Sequence, residues 1–250
     1  MVLGLAITGT YELYHMLQKK GYRVYFILPL LLNIFILTSS YLLADSSTPT
    51  NPSWRTEHYR ILAFQHMLLI FSFFTMISMN LFLKPRATIA EMTSSIFQII
   101  YMGWFPSFLI LMHFLPQGPY FLAWTLTSTA FSDICGYFAG RAFGKRAFFE
   151  HLSPKKTLAG SIGGVLGCTT VAFMGHFFLP ISWWHSLILG VAFACIGQIG
   201  DLVESLVKRD AEVKDSGNVI PGHGGILDRV DSYAVVGFLS YFYLIYFVLR

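Results

Sequence analysis

The sequence predicts an all-α, polytopic integral membrane protein with about seven transmembrane helices and a cytoplasmic N-terminus. Of its 250 residues, 55% are hydrophobic and 12% are charged, whereas a soluble domain carries about 25% charged residues. Apolar segments of roughly 20 residues recur along the chain, and each is long enough to cross a hydrocarbon core of about 30 Å. These two observations exclude an ordinary soluble domain.

Seven segments have the length and apolar character of a membrane span. They lie near residues 22–43, 60–83, 93–115, 120–143, 161–179, 183–207 and 226–249. The preceding stretch, residues 1–21, places its basic pair Lys19 and Lys20 after the apolar part, which is the reverse of a cleavable signal. We expect this stretch to be a short interfacial helix or the remainder of a longer N-terminus.

The distribution of basic residues predicts the orientation. Fourteen of the 17 Lys and Arg residues fall in loops on one side of the predicted bundle, and the other side carries Arg55, Arg60 and Arg250. The positive-inside rule places the richer side in the cytoplasm. We therefore expect a multi-pass membrane protein with a cytoplasmic N-terminus, and we expect any active site on the Lys- and Arg-rich side to be cytoplasmic. With no transit peptide visible, a bacterial inner membrane is expected, and an organellar membrane of bacterial ancestry stays open.

The two halves of the chain differ in their chemistry. Residues 1–118 are apolar and predict an N-terminal transmembrane region that serves as a lipid-facing or dimer scaffold. Residues 119–250 predict a C-terminal catalytic region with cytoplasmic loops at 141–160 and 208–227. The three cysteines, Cys135, Cys168 and Cys195, lack the spacing of a zinc site or a disulfide framework.

Acidic residues concentrate at the end of the sixth segment and the start of the seventh. Seven of the 13 acidic residues lie between Asp201 and Asp231. One helical face, by its i, i+3, i+4 and i+7 spacing, carries Asp201, Glu204, Ser205 and Lys208. The facing helix start carries Asp228, Asp231 and Ser232 at i, i+3 and i+4. Two antiparallel helices can therefore aim several carboxylates at one point near the cytoplasmic interface.

Clustered carboxylates at a membrane predict a metal site. Each costs roughly 2.5–3.5 kcal/mol near a helix centre, and a cation between them offsets their repulsion. Hard oxygen ligands suit Mg²⁺ that also binds substrate phosphates. We expect Asp201, Asp228 and Asp231 to ligate Mg²⁺, with a second cation left open. Simple salt bridges, such as Glu204 with Lys208, are the structural alternative.

The loop between the two acidic faces is rich in glycine. Gly222, Gly224 and Gly225 surround His223 and let backbone N–H groups approach an anion. A helix start immediately after them also favours phosphate. We expect this loop to bind substrate phosphate.

A second basic region follows the fourth segment. Asp133 lies within an apolar segment, where an ionisable residue is a functional candidate, although Arg141 is an alternative structural partner for it. The run Ser153-Pro-Lys-Lys-Thr157 forms a predicted turn that could clamp a polyphosphate through Lys155 and Lys156. Topogenic charge and attraction to anionic lipid are the alternatives.

These patterns favour phosphoryl or nucleotidyl transfer on a lipid phosphate. No serine–histidine triad, HExxH sequence or GxxxxGK[ST] loop is present, and no feature indicates a nucleic-acid partner. A transporter with buried carboxylates is a competing class. The charges lie at one membrane face, however, whereas transport sites lie near the midplane.

The stretch from Ser205 to Asp231 resembles the signature of the phosphatidate cytidylyltransferases, also called CDP-diacylglycerol synthases. The matching positions are Ser205, Lys208, Arg209, Lys214, Asp215, Pro221, Gly222, His223, Gly224, Gly225, Asp228, Arg229 and Asp231. Residues 120–232 resemble the family strongly, and the N-terminal half resembles it in hydropathy alone. Ala159 stands where many relatives carry Glu, and the N-terminus is short for the family.

The resemblance implies a reaction in which CTP and phosphatidate give CDP-diacylglycerol and pyrophosphate. It implies Mg²⁺ at Asp201, Asp228 and Asp231, with membrane lipid as a partner and a homodimer as the assembly. The implied catalytic residues further include Lys208, Arg209, Lys214, Asp215, His223 and Arg229. The implied substrate contacts are Asp133, Arg141, Ser153, Lys155, Lys156, Thr157, Ser205, Gly222, Gly224 and Gly225. A CTP-dependent polyprenol or phytol kinase is the alternative, and it would need an alcohol acceptor and a general base.

Overall fold

The computed structural model describes the chain apart from residues 46–52, 83–85, 150–152, 214, 218–224 and 250 and the side chains of residues 149, 154 and 155. The described residues form the helices α1 (Val2–Lys19), α2 (Ile27–Asp45), α3 (Trp54–Phe82), α4 (Ile89–Ile99), α5 (Phe105–His113), α6 (Gly118–Phe143), α7 (Leu158–Met174), α8 (Trp183–Asp210) and α9 (Leu227–Tyr243). A π-helical turn, Ile100–Trp104, joins α4 to α5, and another, Leu244–Val248, follows α9; a 3₁₀ turn, Gly175–Phe177, follows α7.

The predicted fold class is confirmed. Within the described ranges, six helical segments are long and apolar enough to cross a membrane: Ile27–Asp45, Trp54–Phe82, Ile89–His113, Leu158–Phe177, Trp183–Asp210 and Leu227–Val248. They coincide with six of the seven predicted spans. The remaining predicted span is α6, which is long enough at 26 residues but less apolar, because Thr, Ser and Asp residues interrupt it.

The loop after α6 contains a short antiparallel hairpin in place of the predicted turn. Strand β1 (Ala147–Phe149) pairs with β2 (Ser153–Thr157), with Ala147 opposite Thr157. The prediction of a turn at Ser153–Thr157 was therefore wrong. Consecutive lysines are compatible with an extended strand when its partner strand supplies the backbone hydrogen bonds.

Glycines let α6 and α7 pack almost backbone to backbone. A Cβ atom on Gly163 would lie 2.2 Å from the Cβ of Ala139, and one on Gly160 would lie 2.9 Å from the carbonyl oxygen of Gly136. Small residues at such positions allow the close approach typical of membrane helices. This contact holds the start of α7, and the lysines before it, beside the C-terminal end of α6.

The helices α8 and α9 also approach closely near their charged ends. A Cβ atom on Gly200 would lie 3.0 Å from the carbonyl oxygen of Asp231. The Ser232 hydroxyl donates a hydrogen bond to the carbonyl of Gly197 at 3.0 Å. The two acidic faces predicted from the sequence therefore converge.

The N-terminal helix α1 packs into the same end of the bundle. Leu13, Met16 and Leu17 are buried and share a hydrophobic cluster with Ala211 and Leu227, which follow α8 and begin α9. The sequence predicted an interfacial segment or a remainder here. In the structure this stretch is the helix α1, which packs against the residues that follow α8 and begin α9, and its place relative to a membrane stays a prediction.

Candidate active site

Three carboxylates from α8 and α9 form a cluster, here called the carboxylate cluster. One oxygen from each of Asp201, Glu204 and Asp231 lies within 4.8 Å of the others. Glu204 and Asp231 are buried, with 2% and 6% of their surface exposed, whereas 36% of the Asp201 side chain is exposed. The sequence predicted Asp201 and Asp231 as neighbours, and the structure adds Glu204 to them.

Lys208 connects the two helices beside this cluster. Its ammonium group lies 2.7 Å from Glu204 Oε2 on α8 and 2.6 Å from Asp228 Oδ1 on α9. Its side chain is 15% exposed, so both ion pairs lie in a partly dehydrated setting where Coulomb attraction is stronger than in water. The Glu204–Lys208 pair is the salt bridge that the sequence offered as an alternative, and it coexists with the carboxylate cluster.

Asp228 holds the ends of the glycine-rich loop. Its Oδ2 accepts hydrogen bonds from the Ser216 hydroxyl at 2.9 Å and from the Gly225 backbone N–H at 2.9 Å. The Ser216 backbone N–H lies 3.3 Å from the same oxygen. Asp228 therefore lies beside the carboxylate cluster with donors at both of its oxygens, and the expectation that it ligates a metal stays a prediction.

A second lysine reaches the carboxylate cluster from the hairpin. Lys156, on β2, forms an ion pair with Asp201 Oδ2, and both side chains are about one third exposed. The adjacent Thr157 caps α7, since its hydroxyl accepts a hydrogen bond from the Gly160 N–H at 3.1 Å. The fold thus brings Lys156 of the second basic region to the carboxylates and gives Thr157 a structural contact, whereas its predicted role in binding a polyphosphate stays a prediction.

The donor set of the carboxylate cluster fits a hard divalent cation. Glu204 Oε1 is buried and has no hydrogen-bond partner among the described residues, and a buried unpaired oxygen costs about 1–3 kcal/mol. Asp201 leaves one side of the cluster open to solvent. Carboxylates with an open side are the arrangement that Mg²⁺ uses when it also binds phosphates.

The remaining predicted site residues occupy varied positions. Asp133 is exposed on α6, and Arg141 donates a hydrogen bond to the Tyr137 hydroxyl at 3.1 Å. Ser205 and Gly225 are buried, and Ser153 is half-buried. Three charged residues are exposed: Arg209 near the end of α8, Asp215 after α8, and Arg229 near the start of α9. Lys214, Gly222, His223, Gly224 and the side chain of Lys155 lie outside the described residues.

Two acidic residues escaped the site prediction. Glu204 had a sequence signal, because it shares the helical face of Asp201 one turn along. Glu12 lies on α1, is 2% exposed, and accepts hydrogen bonds from the backbone at the start of α9. Its one signal is that it is the sole acidic residue in the first 44 positions.

An ion pair between Lys20, which follows α1, and the last residue of α8 fixes the end of α1. Lys20 donates a 2.5 Å hydrogen bond to Asp210 at the end of α8. This hydrogen bond raises the pKa of Lys20 above its ordinary value. The contact joins the N-terminal helix to the helix that carries the carboxylate cluster.

Comparison with known proteins places the sequence in a family of cytidylyltransferases. The sequence model of a family described as "Cytidylyltransferase family" matches residues 1–247. A Bacillus subtilis protein named phosphatidate cytidylyltransferase is 34% identical over 72% of this chain and 68% of its own length. Proteins of the same name are 35% identical in Synechocystis, over 66% of each chain, and 43% identical in Haemophilus influenzae, over 53% of this chain and 48% of that one.

The chain thus spans about half to two thirds of the length of these curated relatives. The family match nevertheless runs through nearly the whole sequence, from α1 to the end of α9. It includes both helices of the carboxylate cluster and both lysines paired with it. The chain belongs to the cytidylyltransferase family.

Proposed function

We propose that this protein transfers the cytidylyl group of CTP to phosphatidate, giving CDP-diacylglycerol and pyrophosphate. The observation that carries the proposal is the carboxylate cluster at the converging ends of α8 and α9, with Lys156 and Lys208 paired beside it. Four acidic side chains, Asp228 included, face two lysines there, so the formal charge favours a cation. The names of the similar proteins supply the substrates.

Asp201, Glu204 and Asp231 would hold Mg²⁺, and Asp228 stays a candidate beside them. A bound Mg²⁺ would offset phosphate charge and polarise the phosphoryl group that is attacked. The sequence predicted Asp201, Asp228 and Asp231 as the Mg²⁺ ligands. We add Glu204 to them, and Asp228 also contacts Lys208 and the Gly225 backbone. Binding of a second cation at the same site stays a prediction.

The protein side chains act mainly by binding and charge compensation. A phosphatidate phosphate oxygen attacks the α-phosphorus of CTP, and the bond to the β-phosphate oxygen breaks to release pyrophosphate. A phosphate monoester has a second pKa of about 6, so it is already a nucleophile at neutral pH and needs no protein base. Lys208 and Lys156 would exchange a carboxylate partner for a phosphate oxygen, with each ammonium acting as a compact positive charge.

The remaining basic side chains would form the rest of the phosphate-binding surface. Arg209 and Arg229 are exposed at the ends of α8 and α9, where substrate polyphosphate can reach them. Lys214, Lys155 and Arg141 are proposed as further contacts on the basis of the family resemblance. Lipid tails would stay in the bilayer, and the basic loops would place the site at the cytoplasmic face of a bacterial inner membrane. A homodimer stays a prediction.

A turnover assay on the detergent-purified protein tests the proposal. The assay contains phosphatidate, Mg²⁺ and labelled CTP, with ATP as the nucleotide control and a polyprenol as the rival acceptor. We expect CDP-lipid and pyrophosphate from CTP and phosphatidate. CDP together with a phosphorylated alcohol would instead identify a lipid kinase, and product formation from ATP alone would contradict the nucleotide assignment.

A further inference from the structure

Glu12 contacts backbone groups that lie more than 200 positions away in the chain. Its Oε1 accepts a hydrogen bond from the Ile226 N–H at 3.0 Å, and its Oε2 accepts one from the Leu227 N–H at 2.9 Å. Only 2% of the residue is exposed. These N–H groups belong to the first turn of α9, where no intrahelical carbonyl is available to them. Both oxygens of Glu12 are therefore used as acceptors at the start of the helix that carries Asp228 and Asp231.

The same carboxylate also lies near Ser216, which precedes the glycine-rich loop. The Ser216 hydroxyl lies 3.3 Å from Glu12 Oε2 and 2.9 Å from Asp228 Oδ2. The single hydroxyl proton can serve one of these oxygens at a time, and the shorter distance favours Asp228. Glu12, Ser216 and Asp228 thus form a connected group that joins α1, the segment after α8 and the start of α9.

Two glycines make room for this carboxylate. A Cβ atom on Gly217 would lie 2.7 Å from Glu12 Oε1, and one on Gly225 would lie 2.6 Å from Glu12 Oε2. For Gly217, the three nearest atoms that a Cβ would meet all belong to Glu12. The close approach, rather than an unusual backbone angle, explains glycine at position 217.

We propose that Glu12 is a positioning residue that fixes the turn at residues 225–227, where α9 begins, and thereby sets Asp228 and Lys208 against the carboxylate cluster. The inference rests on the proposed function for its catalytic consequence. The buried packing of Leu13 and Leu17 beside Leu227 holds α1 against this turn. The Lys20–Asp210 ion pair fixes the end of α1 on α8.

The decisive variant is Glu12→Gln, because it preserves volume and removes one acceptor. One amide nitrogen of Gln would face a backbone N–H, so two donors would meet in a buried place. We expect exchange of the Ile226 and Leu227 amides with deuterium to accelerate by roughly threefold to tenfold, the range of one net hydrogen bond. We expect kcat to fall by roughly tenfold or more, since small misplacements of catalytic groups are that costly, with a smaller change in the KM for CTP.

Glu91 provides a matched control of the same chemistry. It is also buried, and its two oxygens accept hydrogen bonds from the backbone N–H groups of Arg23 at 2.7 Å and Thr88 at 2.6 Å. Glu91→Gln should lower the thermal unfolding temperature while leaving exchange at Ile226 and Leu227, and kcat, close to the wild-type values. This comparison separates positioning of the turn from general loss of stability.

A double-mutant cycle tests the contact directly. Gly217→Ala should accelerate amide exchange in the turn when Glu12 is present. In a Glu12→Ala background the same substitution should have a smaller effect, because the atoms that it strikes are gone. Additive effects of the two substitutions would contradict the contact.

The outcomes separate this inference from the proposed function. A wild-type protein that forms no CDP-lipid would refute the proposed function, and exchange at Ile226 and Leu227 would still decide whether Glu12 holds the turn. An active wild-type protein whose Glu12→Gln variant shows normal exchange, or fast exchange with normal kcat, would overturn the positioning role. Faster exchange together with reduced kcat, both absent in Glu91→Gln, would support it.

Discussion

Substitution of Glu204 by Gln tests whether the carboxylate cluster is the Mg²⁺ site. Gln keeps the volume of Glu204 and removes its charge, so the packing of α8 against α9 is retained. The Lys208 ammonium still has Asp228 at 2.6 Å, and it is therefore not left without a counter-charge. The cluster, however, loses one of its three anionic oxygen donors.

The charge of Glu204 is attracted by Lys208 and repelled by the neighbouring carboxylates. At an effective dielectric constant of about 20, charges at the 4.8 Å limit of the cluster repel by about 3.5 kcal/mol for each pair. At the same dielectric constant, Lys208 at 2.7 Å attracts Glu204 by about 6 kcal/mol. The repulsion by Asp201 and Asp231 is at least as large as this attraction, and Asp228, which shares the Lys208 ammonium, adds a third repulsion. We therefore expect the free energy of unfolding in the absence of Mg²⁺ not to fall when Gln replaces Glu204. A large effect on Mg²⁺ can therefore be distinguished from misfolding.

Two measurements on detergent-purified protein check this prediction. The Mg²⁺ concentration for half-maximal CDP-lipid formation should rise by at least about tenfold. Mg²⁺ should raise the thermal unfolding temperature of the wild-type protein, because it binds the folded state, and should raise that of Glu204→Gln much less. Glu57→Gln, which removes the charge of a partly exposed glutamate paired with Arg60 on α3, is the control. An unchanged Mg²⁺ requirement in a folded Glu204→Gln variant would refute the assignment.

Three further predictions follow from the same contacts. Asp228→Asn should reduce kcat by at least about 10³-fold, because it disturbs both Lys208 and the backbone contact at Gly225. The variant should still insert and fold, and near-wild-type turnover would contradict the role of Asp228. Lys156→Ala should raise the KM for CTP more than that for phosphatidate, and a change confined to the lipid would reverse the assignment. Gly163→Leu should lower the free energy of unfolding, measured by thermal unfolding, by about 1–3 kcal/mol through overpacking against Ala139. An unchanged unfolding midpoint would show that α6 and α7 can separate at little cost.

Much of the fold was predictable because a bilayer imposes length and apolarity on each span. Six predicted spans match helices of the structure within a few residues. The span at α6 was predicted from its length, and its lower hydropathy reflects the polar residues it buries, such as Thr125 and Ser128. The hairpin of β1 and β2 was missed, because a five-residue polar strand has no periodicity that separates it from a turn.

The site was predictable to the extent that helical periodicity determines which side chains share a face. Asp201 and Asp231 were expected together, and they lie together with Glu204. Periodicity does not determine which counter-charge each carboxylate meets across the helix interface. Asp228 was grouped with the metal ligands, yet Lys208 and the backbone at Gly225 surround its two oxygens in the structure.

The contribution of α1 illustrates a limit of local patterns. Glu12 and Leu227 are separated by 215 positions, and an isolated acid in an apolar helix is compatible with either a surface or a buried contact. The fold resolves this ambiguity by presenting unpaired N–H groups at the start of α9, where a buried carboxylate is stabilised by hydrogen bonds and by the positive end of the helix dipole. The need for glycine at positions 217 and 225 cannot be inferred from the neighbouring sequence. The atoms that exclude a larger side chain there include those of Glu12, at the opposite end of the sequence. Described residues on both sides of the glycine-rich loop, within the stretch that resembles the family signature, thus contact Glu12, the one acidic residue of a helix that lies outside that stretch.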